Sequence, residues 1–341
     1  MIGYLLRRLG HAAITWLVAV ALIFIAVRVL PGNPLLTRFG QHPDAQQIAE
    51  LSREHGWDRP VWIQLGEFYY RLFTTGDLGQ SIARNTDISG ELAVRIPATL
   101  ELTFAAIFLA LPLGVLAGVI SAKCRGRWPD FLVSTLALVG VSVPIFFLGI
   151  LLREVFTDLP TAQRLSAHDE ASFDAITGLY LIDVVLRGRF DLLPQVIAHL
   201  ILPAVTLATV PAASIAKIAR GAMLDTLQSD YIRTARAKGA DWWRVLARHA
   251  LPNAAVPIAN IGGLQIGLLL TGAVLTETVF DWPGMGRYLA DAVVNDRNYN
   301  VVQAGAIVIA GMFTLLNLLL DLVYMALDPR IRLHDRAGRT S

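Results

Sequence analysis

The 341-residue chain has a single cysteine, Cys124, so no disulfide can form within it. It is also poor in charge. Asp, Glu, Lys and Arg make up 16% of the residues, well below the roughly 25% of an average soluble domain. An excess of one sign is missing too. The 29 Lys/Arg and 27 Asp/Glu leave a formal net charge of +2, which excludes the broad basic surface of a nucleic-acid binder. No G-x-x-x-x-G-K-[ST] loop is present to cradle nucleotide phosphates, and there is no H-E-x-x-H pair or clustered Cys/His ligand set. His168, His199 and His249 are isolated and read as packing or surface residues. The stretch WPGMG (282–286) holds one G-x-G pair with no preceding strand, so it reads as a tight turn and not as a dinucleotide fingerprint. No internal repeat is visible, which counts against an inverted-repeat secondary transporter. The acids in apolar stretches are scattered, which counts against an intramembrane enzyme.

What fills the chain instead is apolar: 55% of residues are hydrophobic. About 20 apolar residues are needed to cross ~30 Å of hydrocarbon as a helix. Six stretches have that length: 9–30, 97–122, 131–152, 196–216, 253–276 and 301–327. The first is longer than the ~7–15-residue apolar run of a cleaved leader, and Arg28 lies where a cleavage region is small and neutral, so it reads as a span. The expected fold class is all-α, with six transmembrane helices.

Six spans put both termini on one side of the membrane. The segments 1–8, 123–130, 217–252 and 328–341 hold 16 Lys/Arg against six Asp/Glu, and the segments 31–96, 153–194 and 278–300 hold 12 against 18. Lys/Arg excess marks the cytoplasmic side, so both termini are expected there. On the outer side, residues 60–73 (PVWIQLGEFYYRLF) place Val61, Leu65, Phe68 and Leu72 at helical spacing with Trp62 and Tyr69 flanking them. Such a helix lies in the membrane interface or packs on the ends of the spans. The outer loop 153–194 is long, acidic and polar enough to meet a soluble partner, and Gln163, Arg164, Asp169 and Asp174 are its contact candidates.

The segment 230–257 (DYIRTARAKGADWWRVLARHALPNAAVP) breaks the apolar pattern with five Lys/Arg between Arg233 and Arg248. Asp230 suits a helix start, and Gly239 suits a left-handed helix end. Asp241 can cap a second helix whose Trp242, Val245, Leu246 and Ala250 form one apolar face, and Pro252 is expected to stop it. A basic amphipathic element of this kind either faces lipid phosphates or is gripped by a partner.

The spacing resembles the cytoplasmic loop of the permease subunits of ABC importers, whose signature runs Glu-Ala-Ala, three residues, Gly, nine residues, Ile, one residue, Leu-Pro. Here Gly239, Leu251 and Pro252 match at those intervals, while Arg233-Thr234-Ala235 keeps only the last Ala and His249 stands in place of Ile. The segment is closer to the peptide, opine and nickel branch of that family, most of all to dipeptide permeases of the first-subunit type. LPGNP (30–34), GDLGQSI (76–82), IPATLEL (96–102), LTETVFDWPGMGRYL (275–289) and DPRIR (328–332) extend the likeness over most of the chain. The resemblance implies a type I importer permease fold in a bacterial inner membrane. Residues 1–95 would form an N-terminal helix with a periplasmic segment, 96–328 the five-helix core, and 329–341 a cytoplasmic tail.

It further implies a homologous second permease, two ABC ATPase subunits and an extracytoplasmic binding protein as partners. ATP and magnesium would sit on the ATPase subunits, with no cofactor on this chain. Arg233, Thr234, Ala235, Lys238, Gly239, Trp242, Val245, Leu246, Leu251 and Pro252 would form the loop that couples to an ATPase subunit, with the apolar face supplying contact area. Three acids remain without an assigned role. Glu101, Glu277 and Asp321 lie in or at the ends of spans, where burying a charge is costly. Glu277 is close enough to the end of its stretch to reach the interface. Asp321 shares a helix face with Asn317, which suits interhelical hydrogen bonding. The pairs Gly114–Gly118 and Gly263–Gly267 are small-xxx-small patterns that allow close helix approach.

Overall fold

The computed structural model describes residues 2–29, 56–81, 84–296 and 298–327, together with Gln46, Glu50 and Arg53. The LPGNP and DPRIR stretches and the tail 329–341 lie outside the described residues. In chain order the helices are α1 (Ile2–Val29), α2 (Val61–Thr75), α3 (Ile88–Lys123), α4 (Trp128–Ser142), α5 (Ile145–Val155), α6 (Ala167–Ser172) and α7 (Tyr180–Leu186). They continue with α8 (Leu193–Leu227), α9 (Asp230–Ala237), α10 (Trp242–Val245), α11 (Leu251–Gly272), α12 (Val274–Val279), α13 (Met285–Val294) and α14 (Tyr299–Leu327). Residues Leu246–Ala250 form a π-helical turn between α10 and α11. The described residues form no strand, only an isolated bridge between Gln80 and Asp87.

Among the described residues, five single helices are long and apolar enough to cross a bilayer: Leu6–Arg28, Ile88–Lys123, Leu193–Leu227, Trp242–Thr271 and Tyr299–Val323. The third apolar stretch is long and apolar enough only as a bent pair, which makes the sixth span if it crosses as one broken helix. It breaks into α4 and α5, which bend by 103°. Pro144 is the cause. The residue before a proline is pushed out of the helical region, and Val143 sits at φ −76°, ψ 124°. At 15 and 11 residues, these helices rise only about 22 and 16 Å, so neither crosses ~30 Å alone.

The chain divides into two compact units, residues 1–99, 175–179 and 283–315 forming one, and 100–174, 180–282 and 316–341 the other. In the first unit, Val20, Phe24, Phe68 and Ile307 form one apolar cluster. The α2 stripe of Val61, Leu65 and Leu72 packs on it, and the Tyr69 hydroxyl donates to the Leu17 carbonyl at 2.6 Å. Helix α2 is therefore a packing helix, although Trp62 and Tyr70 remain exposed on its other side. A second cluster joins Ile88 and Leu92 of α3 to Met285, Tyr288 and Ala292 of α13 and to Val301 and Ala304 of α14.

In the second unit α8 is the central helix, with α11, α4 and α5 packed on it. Its contact with α3 depends on glycine. A Cβ on Gly114 would lie 2.8 Å from the Ala212 carbonyl oxygen, and one on Gly118 would lie 2.6 Å from Ala219 Cβ and 2.7 Å from the Ala216 oxygen. Those obstacles are largely backbone, which cannot step aside as a flexible side chain can. Gly118→Val is expected to force the two helices apart at an overpacking cost of about 1–3 kcal/mol or more. Thermal unfolding in detergent should show the loss, while Gly221→Ala, on the same unit in open space, should melt close to wild type. A Cβ on Gly263 would instead meet only the Leu320 side chain, which can shift.

Candidate functional site

The basic segment is built from local rules. Helix α9 begins at Asp230, with Thr234 Oγ1 donating to the Asp230 carbonyl at 3.0 Å and Arg233 reaching the Asp230 carboxylate at 3.3 Å. It ends at Ala237 with Lys238 as the cap, and Gly239 follows at φ +84°. The Gly239 N–H donates to Arg236 O at 2.9 Å and the Ala240 N–H to Ala235 O at 3.1 Å. Those two bonds are the 5→2 and 6→1 bonds of a Schellman ending, so Ala235 and Gly239 together turn the chain. Asp241 then caps α10 by accepting from the Arg244 N–H at 3.2 Å.

Two expectations need correction. Pro252 does not stop the second helix. The chain continues through the π turn into α11, with the Leu251 N–H donating to Leu246 O five residues back. Proline has no N–H and clashes with the carbonyl four residues earlier, and the wider turn accommodates both. Pro252 therefore begins a span that is continuous with the basic segment. The apolar face is also not held out for a partner. Val245 and Ala250 are fully buried within this chain, and Leu246 and Leu251 pack on the cluster of Ala122, Ala219, Met223, Ala254 and Ile258. Trp242 is half-buried beneath Lys123, whose Nζ lies 5.2 Å from the ring centroid. The greasy side anchors the segment to its own unit.

The large and charged groups left outside include Tyr231, Trp243 at 70% exposure, Lys238, and Arg233, Arg236, Arg244 and Arg248. Tyr231 and Trp243 were not singled out by the sequence. Their signal is position: each is adjacent to an inward residue, Ile232 or Trp242, and so lies about 100° round the helix from it, off the packed stripe. The segment rests on a firm base. Asp130 accepts from Ser121 at 2.5 Å, from Arg220 Nε at 2.7 Å and Nη2 at 2.9 Å, and from the Gly126 N–H at 2.9 Å, tying the 123–130 turn to α8.

The four candidates of the long loop separate. Gln163 is exposed, with φ +62° and its N–H bonded to Phe280 O at 3.1 Å. Asp169 is partly exposed and accepts from Ser166, which holds its carboxyl below the usual range. Asp174 is exposed and pairs with Arg187 at 2.5 Å. Arg164 cannot meet a soluble partner, because it is 2% exposed. Its Nη2 and Nε lie 2.5 and 3.2 Å from Glu101 Oε2, and its Cζ sits 3.5 Å from the Tyr180 ring centroid and 5.7 Å from that of Trp282. The Leu181 N–H donates to the other Glu101 oxygen at 2.7 Å. Burial pushes the Tyr180 phenol up to about 12, so it stays protonated and donates to Glu170 at 3.2 Å. The loop is thus pinned to α3 by a buried ion pair, which gives Glu101 a structural role.

Of the other acids, Glu277 is fully buried and does not reach out to the interface, and its backbone oxygen accepts from the Trp282 N–H at 2.8 Å. Asp321 is half-buried on α14 and Asn317 is exposed. His199 is buried with Nδ1 2.8 Å from Gln195 O, His249 is half-buried and His168 exposed. Among the described residues no three His, Cys, Asp or Glu gather as a metal site.

The basic elbow is thus anchored to its own unit and continuous through the π turn with a span. Comparison with known proteins decides the setting. Residues 110–333 match the family model of the binding-protein-dependent transport system inner membrane component, and residues 1–103 match the model of its N-terminal region. The chain belongs to this family of transport permeases. The permease is 42% identical over 337 residues to the dipeptide transport system permease protein of Alkalihalophilus pseudofirmus, covering 97% of this chain and all of the relative. It is 36% identical over 333 residues to the glutathione transport system permease protein of Salmonella typhimurium, covering 97% and 99%. A chain of the methionine ABC transporter MetNI in an inward-facing form superposes with a TM-score of 0.51 at 17% identity, covering 70% of this permease and 96% of that chain. That likeness establishes the type I importer permease fold. The permease is accordingly a multi-pass inner-membrane component of a binding-protein-dependent transport system.

Proposed function

We propose that this chain is one of two homologous permease subunits of an ATP-driven importer of short peptides. The observation that carries the reading is full-length similarity to a dipeptide transport permease at 42% identity. An extracytoplasmic binding protein delivers the peptide, and selection rests largely on that protein. Two ATPase subunits carry ATP and magnesium, and this chain holds no cofactor. One ATPase subunit grips the 230–252 elbow through Trp243, Tyr231 and the four exposed arginines. Because α10 runs through the π turn into α11, closure of the ATPase pair tilts that span as a rigid body. ATP and the loaded binding protein both favour the outward-facing state, so transport follows as a shift of populations. In the long loop, Gln163, Asp169 and Asp174 are the groups available to the binding protein.

Both termini and the 230–252 elbow face the cytoplasm in this reading, on the strength of the Lys/Arg bias. Single cysteines in a Cys124-free background test it. Positions 77 and 169 should label from outside in sealed cells, and position 236 only after permeabilisation. Labelling of position 236 from outside would overturn the orientation and the coupling role together.

A further inference from the structure

The first unit contains a cavity of about 630 Å³ that transport does not explain. Its wall includes Arg28, Arg59 and Arg71, the carboxylates of Glu67 and Asp77, and the amides of Gln64 and Gln303. Arg59 is paired with Glu67 at 2.5 Å and Arg71 with Asp77 at 3.9 Å. Arg28 has rings where the other two have carboxylates: its Cζ lies 5.0 Å from the Phe24 centroid and 4.9 Å from that of Trp57. Its Nε is buried without a hydrogen-bond partner. Among the described residues, three arginines against two carboxylates leave one positive charge in excess, and that charge sits on the last residue of the first span.

Two acceptors complete the wall. Gln64 and Gln303 are 8% and 4% exposed, and the Oε1 of each is buried with no donor. The Gln64 amide is held in place, since its Nε2 donates to Arg59 O at 2.7 Å and to Trp57 O at 3.3 Å. Buried polar groups in native proteins nearly always have partners, so three orphans on one cavity call for an occupant. The occupant needs an anionic group for Arg28 and hydrogen-bond donors for the two amide oxygens, which an ammonium supplies.

We propose that this cavity binds the headgroup of an aminophospholipid, with the phosphodiester on Arg28 and the primary ammonium shared by Gln64 and Gln303. A free peptide carries the same two charges, but the surroundings favour lipid. The α1 face below Arg28 leaves Val18, Leu22 and Ile25 exposed, and Tyr70, which also lines the cavity, is 71% exposed. A headgroup seated at the end of a span would place its acyl chains along that face, and aromatic residues at the same level are usual at membrane interfaces. The inference needs only the membrane-spanning reading and stands independently of the peptide substrate.

The test is retention and stabilisation by defined lipids. The purified permease complex is delipidated, examined by native mass spectrometry, and melted with added phosphatidylethanolamine or phosphatidylcholine, whose trimethylated ammonium has no N–H. Phosphatidylethanolamine should stay bound and should raise the melting temperature at a concentration at least tenfold lower than phosphatidylcholine does. Gln303→Leu, a change of similar volume, should erase that preference while leaving the unliganded melting temperature near wild type. Arg28→Gln should lose retention of either lipid. Equal responses to the two lipids in the wild type would overturn the proposal. So would a lipid preference unchanged in Gln303→Leu, or stabilisation by a dipeptide that Arg28→Gln abolishes while phosphatidylethanolamine has no effect.

Discussion

Glu101→Ala is expected to destabilise the permease by about 3–5 kcal/mol, because it leaves the Arg164 guanidinium buried without the carboxylate that Glu101 supplies. The Leu181 N–H loses its acceptor in the same variant. A loss of that size is a large share of the ~5–15 kcal/mol that holds a typical domain. The stacking of Arg164 on Tyr180 does not compensate, since a cation over a ring contributes only about 0.5–2 kcal/mol. The double variant Glu101→Leu/Arg164→Met removes both charges and fills similar volume, and it should recover most of the loss. Thermal unfolding of the two variants in the same detergent checks this. If the single and double variants melt alike, the pair is not the link that holds the 153–194 loop to α3.

Gly239→Val should reduce peptide transport at least tenfold while leaving the membrane helices inserted. The reason is conformational and not steric. A Cβ at Gly239 meets nothing within 4 Å, but the residue sits at φ +84°. A β-branched side chain there costs roughly 1–2 kcal/mol or more. The strain is relieved by opening the Schellman turn, which re-aims α10 and Trp243. Gly239→Asn, which tolerates a left-handed conformation, should keep most of the activity. Neutralising Arg244 and Arg248 should weaken ATPase-subunit association more at low salt than at high, since salt already screens exposed charges. Trp243→Ala should weaken it at both. Wild-type stimulation of ATP hydrolysis in Gly239→Val would sink the coupling role.

The elements that were legible in the sequence share one property: their cause is local. The left-handed Gly239, the Asp241 cap and the long apolar helices follow from side-chain geometry within a few residues. So does the close approach at Gly114 and Gly118, which needs only the absence of Cβ atoms. Local rules went wrong where two of them competed. Hydropathy gives residues 131–152 the length of one span but is blind to the 103° bend that Pro144 puts in it. Pro252 read as a stop, but a π turn absorbs it. The fate of charged residues was least legible. Arg164 lies in a polar loop and looked solvent-facing, yet its partner, Glu101, is 63 residues away in sequence. The Arg28 cavity draws on Gln303, and no pattern within a window of ten or twenty residues could join them. The apolar face of Trp242, Val245 and Leu246 was correctly seen as a face, but a period of 3.6 does not tell whether its cover comes from the same chain or from a partner.

The central claim is that this chain moves peptides only as part of an ATP-driven assembly. The most direct test is uptake of a radiolabelled dipeptide into vesicles containing the chain, its second permease and its ATPase subunits, with the binding protein and ATP added in turn. Accumulation is expected only when the binding protein and ATP are both present, and none when the chain is reconstituted alone, with or without a proton gradient. Gradient-driven uptake by the chain alone, or uptake by the full assembly that is indifferent to ATP, would contradict it.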